Sequence, residues 1–124
     1  MIRCLVLLAM LAPAWAHAAE LVMFERADCP VCLRWDREVA PIYPKTPESH
    51  TATLRRVTLG TGTGIALAEP VRYTPTFVLV DDGHEVGRIT GYLDDAMFWG
   101  LLDGLLKLIP QGALPGKPAR DERG

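Results

Sequence analysis

Cys29 and Cys32 stand two residues apart in Cys29-Pro30-Val31-Cys32, directly after the apolar run Leu21-Val22-Met23-Phe24 and at the opening of a stretch with helical spacing. A sulfur at a helix N-terminus faces backbone N–H groups that have no helical partner, and it lies at the positive end of the helix dipole. Both effects favour its thiolate, which is the reactive form. A second thiol one helical turn further on can break the mixed disulfide that the first one makes, without large backbone movement. The pattern therefore predicts thiol–disulfide exchange, with Cys29 as the attacking, solvent-open sulfur and Cys32 as the resolving sulfur behind it. Two other uses of the pair stay open. Soft thiolates suit Cu(I), which would make the chain a copper carrier, but Met23 belongs to the preceding strand and Met97 to the last helix, so no supporting ligand stands nearby. A purely structural disulfide is the other reading, although so short a ring restrains the unfolded chain little.

The elements that must hold these sulfurs follow from periodicity. Leu21 to Glu25 reads as a buried strand, and Pro30 suits the first turn of a helix because its missing N–H has no partner there. Cys32, Trp35, Val39 and Ile42 form the apolar stripe of that helix, which Pro41 ends near Ala40. Arg34, Asp36, Arg37 and Glu38 read as its solvated face, and Trp35 and Trp99 as packing residues. Residues 44–49 read as a loop and Thr53 to Leu59 as a second strand. Gly60, Gly62 and Gly64 lack the Lys and Ser or Thr of a phosphate cradle, so they read as a plain connection to a short helix over Ile65 to Ala68. Thr76 to Val80 and Glu85 to Thr90 flank Asp82-Gly83, a hairpin signal. Asp94 or Asp95 then caps a last helix whose apolar residues are Phe98, Leu101, Leu102, Leu105, Leu106 and Ile109, with Pro110 as its stop. His50 and His84 read as surface residues.

The ends of the chain suggest where it works. Arg3, the apolar stretch from Leu5 to Ala12 and the small residues around Ala16 and Ala18 have the form of a signal peptide over residues 1–18. Its removal takes Cys4 with it and leaves 106 of the 124 residues, with both remaining cysteines in the motif. That length suits one domain over residues 19–110, followed by a disordered tail over residues 111–124. Loss of Arg3 leaves 12 basic against 15 acidic residues, and this balance argues against nucleic acid as a partner. The expected protein is a soluble periplasmic monomer without metal or organic cofactor.

The order strand, helix, strand, helix, hairpin, helix, with the dithiol at the C-terminal end of the first strand, resembles the thioredoxin-like family. The Tyr73-Thr74-Pro75-Thr76 segment before the penultimate strand carries the likeness further. The resemblance spans about residues 20 to 109 and implies a three-layer α/β fold, a mixed sheet of about four strands flanked by helices. It also implies a cis Pro75 beside the dithiol and a Thr74 backbone that binds an extended segment of the substrate protein by strand addition. Pro30 directly after the first cysteine is similar to glutaredoxin motifs too, so glutathione is a secondary candidate substrate. Glu38-Val39-Ala40-Pro41-Ile42-Tyr43, with Thr46 and Glu48, resembles the small exported thioredoxins of bacterial sulfur-oxidation systems. That likeness implies a disulfide-bearing carrier protein as substrate and a membrane thiol-relay protein as electron donor, whereas the same atoms could also serve an oxidant or isomerase. Two departures stand out. Asp28 precedes Cys29 where ordinary thioredoxins carry Trp, and Met23 occupies the place of a buried Asp, so water, Glu25 or the substrate must take the proton of Cys32. Asp28 opposes the Cys29 thiolate while Arg26 favours it.

Overall fold

The computed structural model describes residues 19–110. The predicted signal peptide, with Cys4, and the predicted disordered tail lie outside them. Strand β1 (Ala19–Glu25) leads through a four-residue connection into helix α1 (Pro30–Glu38). A 3₁₀ turn (Tyr43–Lys45) and a short helix α2 (Pro47–Thr51) precede β2 (Ala52–Thr58). The hairpin β3 (Thr76–Asp81) and β4 (His84–Thr90) is followed by helix α3 (Asp95–Leu106). The four strands form one mixed sheet in the order β2-β1-β3-β4, with β1 parallel to β2 and antiparallel to β3. The hairpin closes on Asp82 and Gly83, both at positive φ (52° and 76°), the geometry that Asp-Gly readily adopts. Among the described residues no helix is long and apolar enough to cross a membrane.

Strand alternation divides the core in two. Leu21, Met23, Leu54, Phe77 and Leu79 face α1 and α3, where Trp35, Val39, Phe98 and Leu102 complete a packed layer. Trp35, Phe77 and Phe98 meet pairwise with ring centroids 5.0 to 5.7 Å apart. Gly87 of β4 allows α3 to approach, since a Cβ there would lie 2.5 Å from Leu105 Cδ2. On the opposite face Val22, Phe24, Val78 and Val80 are covered by Ile65, Leu67 and Val71 from the segment between β2 and β3.

That segment corrects one expectation. Ile65 to Ala68 is not a helix: Ala66 is extended and bridges in parallel to His84, donating to the Gly83 carbonyl and accepting from the Glu85 N–H. The segment is anchored by backbone acceptors rather than by helical bonds of its own. Arg88 donates to the carbonyls of Glu69 and Pro70, and Glu85 accepts from the Ala68 N–H. Residues 44–49 are likewise not a plain loop. Thr46 caps α2 through the Ser49 N–H, and Pro47 fills its first turn. The two apolar stripes also run narrower than their periodicity suggested. Ile42 is half exposed because α1 stops before it, and Leu101 is exposed to a similar extent on the outer side of α3. Asp94, not Asp95, is the N-cap of α3, accepting from the Met97 N–H.

Candidate active site

Cys29 is the N-cap residue of α1, and its sulfur accepts the Cys32 N–H at 3.1 Å. Pro30 occupies the first helical position, so the end of the helix that the sulfurs share is set by local chemistry. The Cα atoms of Cys29 and Cys32 are 5.2 Å apart, and the two sulfurs are joined in a disulfide. Both residues are more deeply enclosed than the sequence suggested, Cys29 at 6% exposure and Cys32 at 3%. Cys29 is thus the less covered sulfur by a small margin only, because the cap places it against its own helix. Asp28, Pro30, Val31 and Leu33 are exposed residues around it.

The other predicted site residues arrive at the same end of the sheet. β3 runs antiparallel to β1 with Thr76 opposite Phe24, so Thr74 and Pro75 sit at the end from which the chain leaves β1 for Cys29. The Thr74–Pro75 bond is cis. Pro75 is buried and its carbonyl accepts the Gly91 N–H at 2.7 Å, while Thr76 Oγ1 donates to the Tyr73 carbonyl. Tyr73 itself is 66% exposed.

The polar side of α1 is engaged rather than free. Arg34 donates to the Tyr92 and Leu93 carbonyls at 2.8 and 2.6 Å and lies over the Tyr92 ring, 5.1 Å from its centroid. Glu38 accepts the Tyr92 hydroxyl at 2.9 Å. Burial, then this bond to a carboxylate, pushes the Tyr92 phenol up to about 12. These contacts tie the dithiol helix to the loop that follows Gly91. Asp36, also read as solvated, accepts from Arg56 Nη2 at 2.6 Å, and Glu25 accepts from the same guanidinium through its Nε at 3.0 Å. Burial alone would lower the Arg56 pKa, but the two carboxylates outweigh it and hold the guanidinium above its ordinary value. The i, i+4 spacing of Arg34 and Glu38 was a visible signal for part of this. Nothing local in the sequence announces Arg56, whose place depends on the register of β2 beside β1. His50 and His84 are exposed, Trp35 is fully buried and Trp99 half-buried. Among the described residues no three metal-binding side chains of His, Cys, Asp or Glu gather.

Comparisons with known proteins agree with this geometry. The model of a thioredoxin-like domain family matches residues 16–105. The structure is similar to that of the periplasmic thioredoxin SoxS from Paracoccus pantotrophus in its reduced form, at 40% identity and a TM-score of 0.72, covering 74% of this chain and 99% of that one. A thioredoxin from Malassezia sympodialis matches at 16% identity and TM-score 0.51, over 73% of this chain and 79% of that one. A thioredoxin-fold protein from Helicobacter pylori matches at 17% and 0.56, over 82% and 75%. The last two likenesses show the fold alone. No curated protein sequence gives a significant match.

Proposed function

The chain belongs to the thioredoxin-like family as a thiol–disulfide oxidoreductase, and from that premise we propose that it works in the periplasm as a reductase of a disulfide-bearing protein. The observation that carries this reading is the capped sulfur: Cys29 accepts the Cys32 N–H at the start of α1, where a thiolate gains most from the helix terminus. In the reduced enzyme the Cys29 thiolate attacks one sulfur of the substrate disulfide, and the other substrate sulfur leaves as thiolate. Cys32 then attacks Cys29 Sγ, the mixed disulfide breaks, and the reduced substrate departs from the Cys29–Cys32 disulfide. Thr74, beside Pro75, offers its backbone to an extended stretch of the substrate, with Val31 and Tyr73 as exposed apolar surface around it.

The periplasmic setting rests on the likeness to SoxS and on the form of residues 1–18, which predicts export. The likeness to exported thioredoxins of sulfur-oxidation systems favours a carrier protein with a reactive cysteine as substrate. In an oxidising compartment the spent disulfide must be reduced again, so a membrane thiol-relay protein is the second partner. A Cys32→Ser variant of the processed chain tests the proposal. It should retain a substrate on Cys29 that is released by dithiothreitol and absent from the Cys29→Ser, Cys32→Ser double variant. Failure to capture any protein from periplasmic extract, or a reduction potential of about −180 mV or higher rather than about −270 mV, would overturn the reductase reading. Tight Cu(I) binding without insulin reduction would identify a copper carrier instead.

A further inference from the structure

Met23, fully buried in the strand behind Cys32, offers no acceptor for the proton that Cys32 must lose. A cleft of about 280 Å³ opens beside Cys32 instead, lined by Glu25, Asp36 and Arg56 among others. Its position follows from the fold. Met23 pairs in register with Arg56, and Glu25 is the next residue of β1 on that same face of the sheet. Asp36 lies one helical turn beyond Cys32, and helix side chains lean toward the N-terminus, so its carboxylate tilts back toward that sulfur. Arg56 joins the two acids, and its guanidinium also stacks over Trp35, 5.8 Å from the ring centroid. Glu25 bonds Arg56 through Oε2 and Asp36 through Oδ1, so one oxygen of each carboxylate is not used on the guanidinium, and both residues line the cleft.

We infer that Glu25 and Asp36, held by Arg56, are positioning residues for resolution: through water in this cleft they take the proton that Cys32 loses as it attacks Cys29 Sγ. The inference rests on the dithiol reading above and deepens it. The step balances. The S–H bond of Cys32 gives its proton to a carboxylate, and its electron pair forms the bond to Cys29 Sγ. The bond from Cys29 to the substrate sulfur breaks, and that sulfur leaves as a thiolate. Arg56 steadies the thiolate that appears transiently at Cys32, and Arg26 is the remaining charged group that lines the cleft.

Reaction of the reduced chain from Ala19 onward, which lacks the Cys4 thiol, with dithionitrobenzoate separates the two steps, because each releases one coloured thiolate. The first release reports attack by Cys29 and the second reports resolution by Cys32. In the Glu25→Gln, Asp36→Asn double variant the first phase should hold its rate. The second should slow between about tenfold and a hundredfold near neutral pH and recover as pH rises into the thiol range. Asp36→Glu should restore most of the second phase, and Arg56→Lys should retain part of it, which separates proton transfer from a loss of folding. An unchanged second phase in the double variant overturns the inference, as does an equal slowing of both phases. Absence of a first phase in the parent enzyme would instead overturn the dithiol reading.

Discussion

The two faces of the sheet are built by different physics. The face toward α1 and α3 is a dry layer of aromatic and aliphatic side chains, in which Trp35 touches both Phe77 and Phe98 and carries the dithiol helix on its back. The opposite face has four fully or nearly buried strand residues, yet its cover is an extended segment with no helix. What holds that cover is polar. The Glu85–Arg88 pair, 5% and 14% exposed at its side chains, satisfies the backbone of Ala68, Glu69 and Pro70. The contrast shows where precision is needed. Dispersion between fitted rings seats the helix that carries the sulfurs, whereas on the far side charged hydrogen bonds to the backbone hold an extended cover over the apolar strands.

The sharpest way to break this division is Trp35→Ala. It should cost about 3–5 kcal/mol, read from the urea midpoint, because a large ring leaves a layer that cannot collapse around the gap. Thiol reaction at Cys32 should become faster as its cover loosens. On the opposite face Arg88→Met should cost about 2 kcal/mol, since it removes charged hydrogen bonds and leaves a buried carboxylate without its cation. Amide exchange should then rise between residues 66 and 70 while the reactivity of Cys29 stays as it was; equal exchange increases along α1 would erase the distinction between the faces.

Acid should act on the same polar side. The hydrogen bond from Arg88 holds the Glu85 carboxyl below its ordinary value of 4.5, despite burial. A depressed carboxyl contributes stability above that value and loses it as pH falls through the folded pKa. The parent protein should therefore lose stability below about pH 4.5 more steeply than the Arg88→Met variant does, as followed by urea midpoints across pH. The smallest effect belongs to the seam between α1 and the loop after β4. Tyr92→Phe should cost about 1 kcal/mol through the lost bond to Glu38. Because the Tyr92 pKa is raised, its contribution is complete below pH 10 and fades as pH climbs toward about 12. The variant should be correspondingly flatter in that range, and a parallel decline of both proteins would dismiss this phenol as the cause.

The division between the faces also marks what was legible beforehand. Cys29 and Cys32, the strand before them, the Asp-Gly hairpin and the last helix each announce themselves within a few residues, because capping, alternation and turn chemistry are local. Pro41 set the end of α1 to within two residues. The extended cover at Ile65 to Ala68 was misread because its apolar residues serve a sheet face, and its hydrogen-bond partners, Gly83, Glu85 and Arg88, lie some twenty residues away. Asp36 and Glu38 keep the solvent exposure that the sequence predicts, 30% and 41% at their side chains, but they are bonded as well. Their partners, Arg56 and Tyr92, reach them only through strand register and loop placement, which no short window encodes.

The bridge at Ala66 bears on what this molecule does when crowded with its own kind. A terminal strand with free amides and carbonyls invites another chain to extend the sheet. By donating to Gly83 and receiving from Glu85, Ala66 occupies the outer rim of β4 where the hairpin turns. At the hairpin end of β4 the first rung of any such ladder is already taken from within.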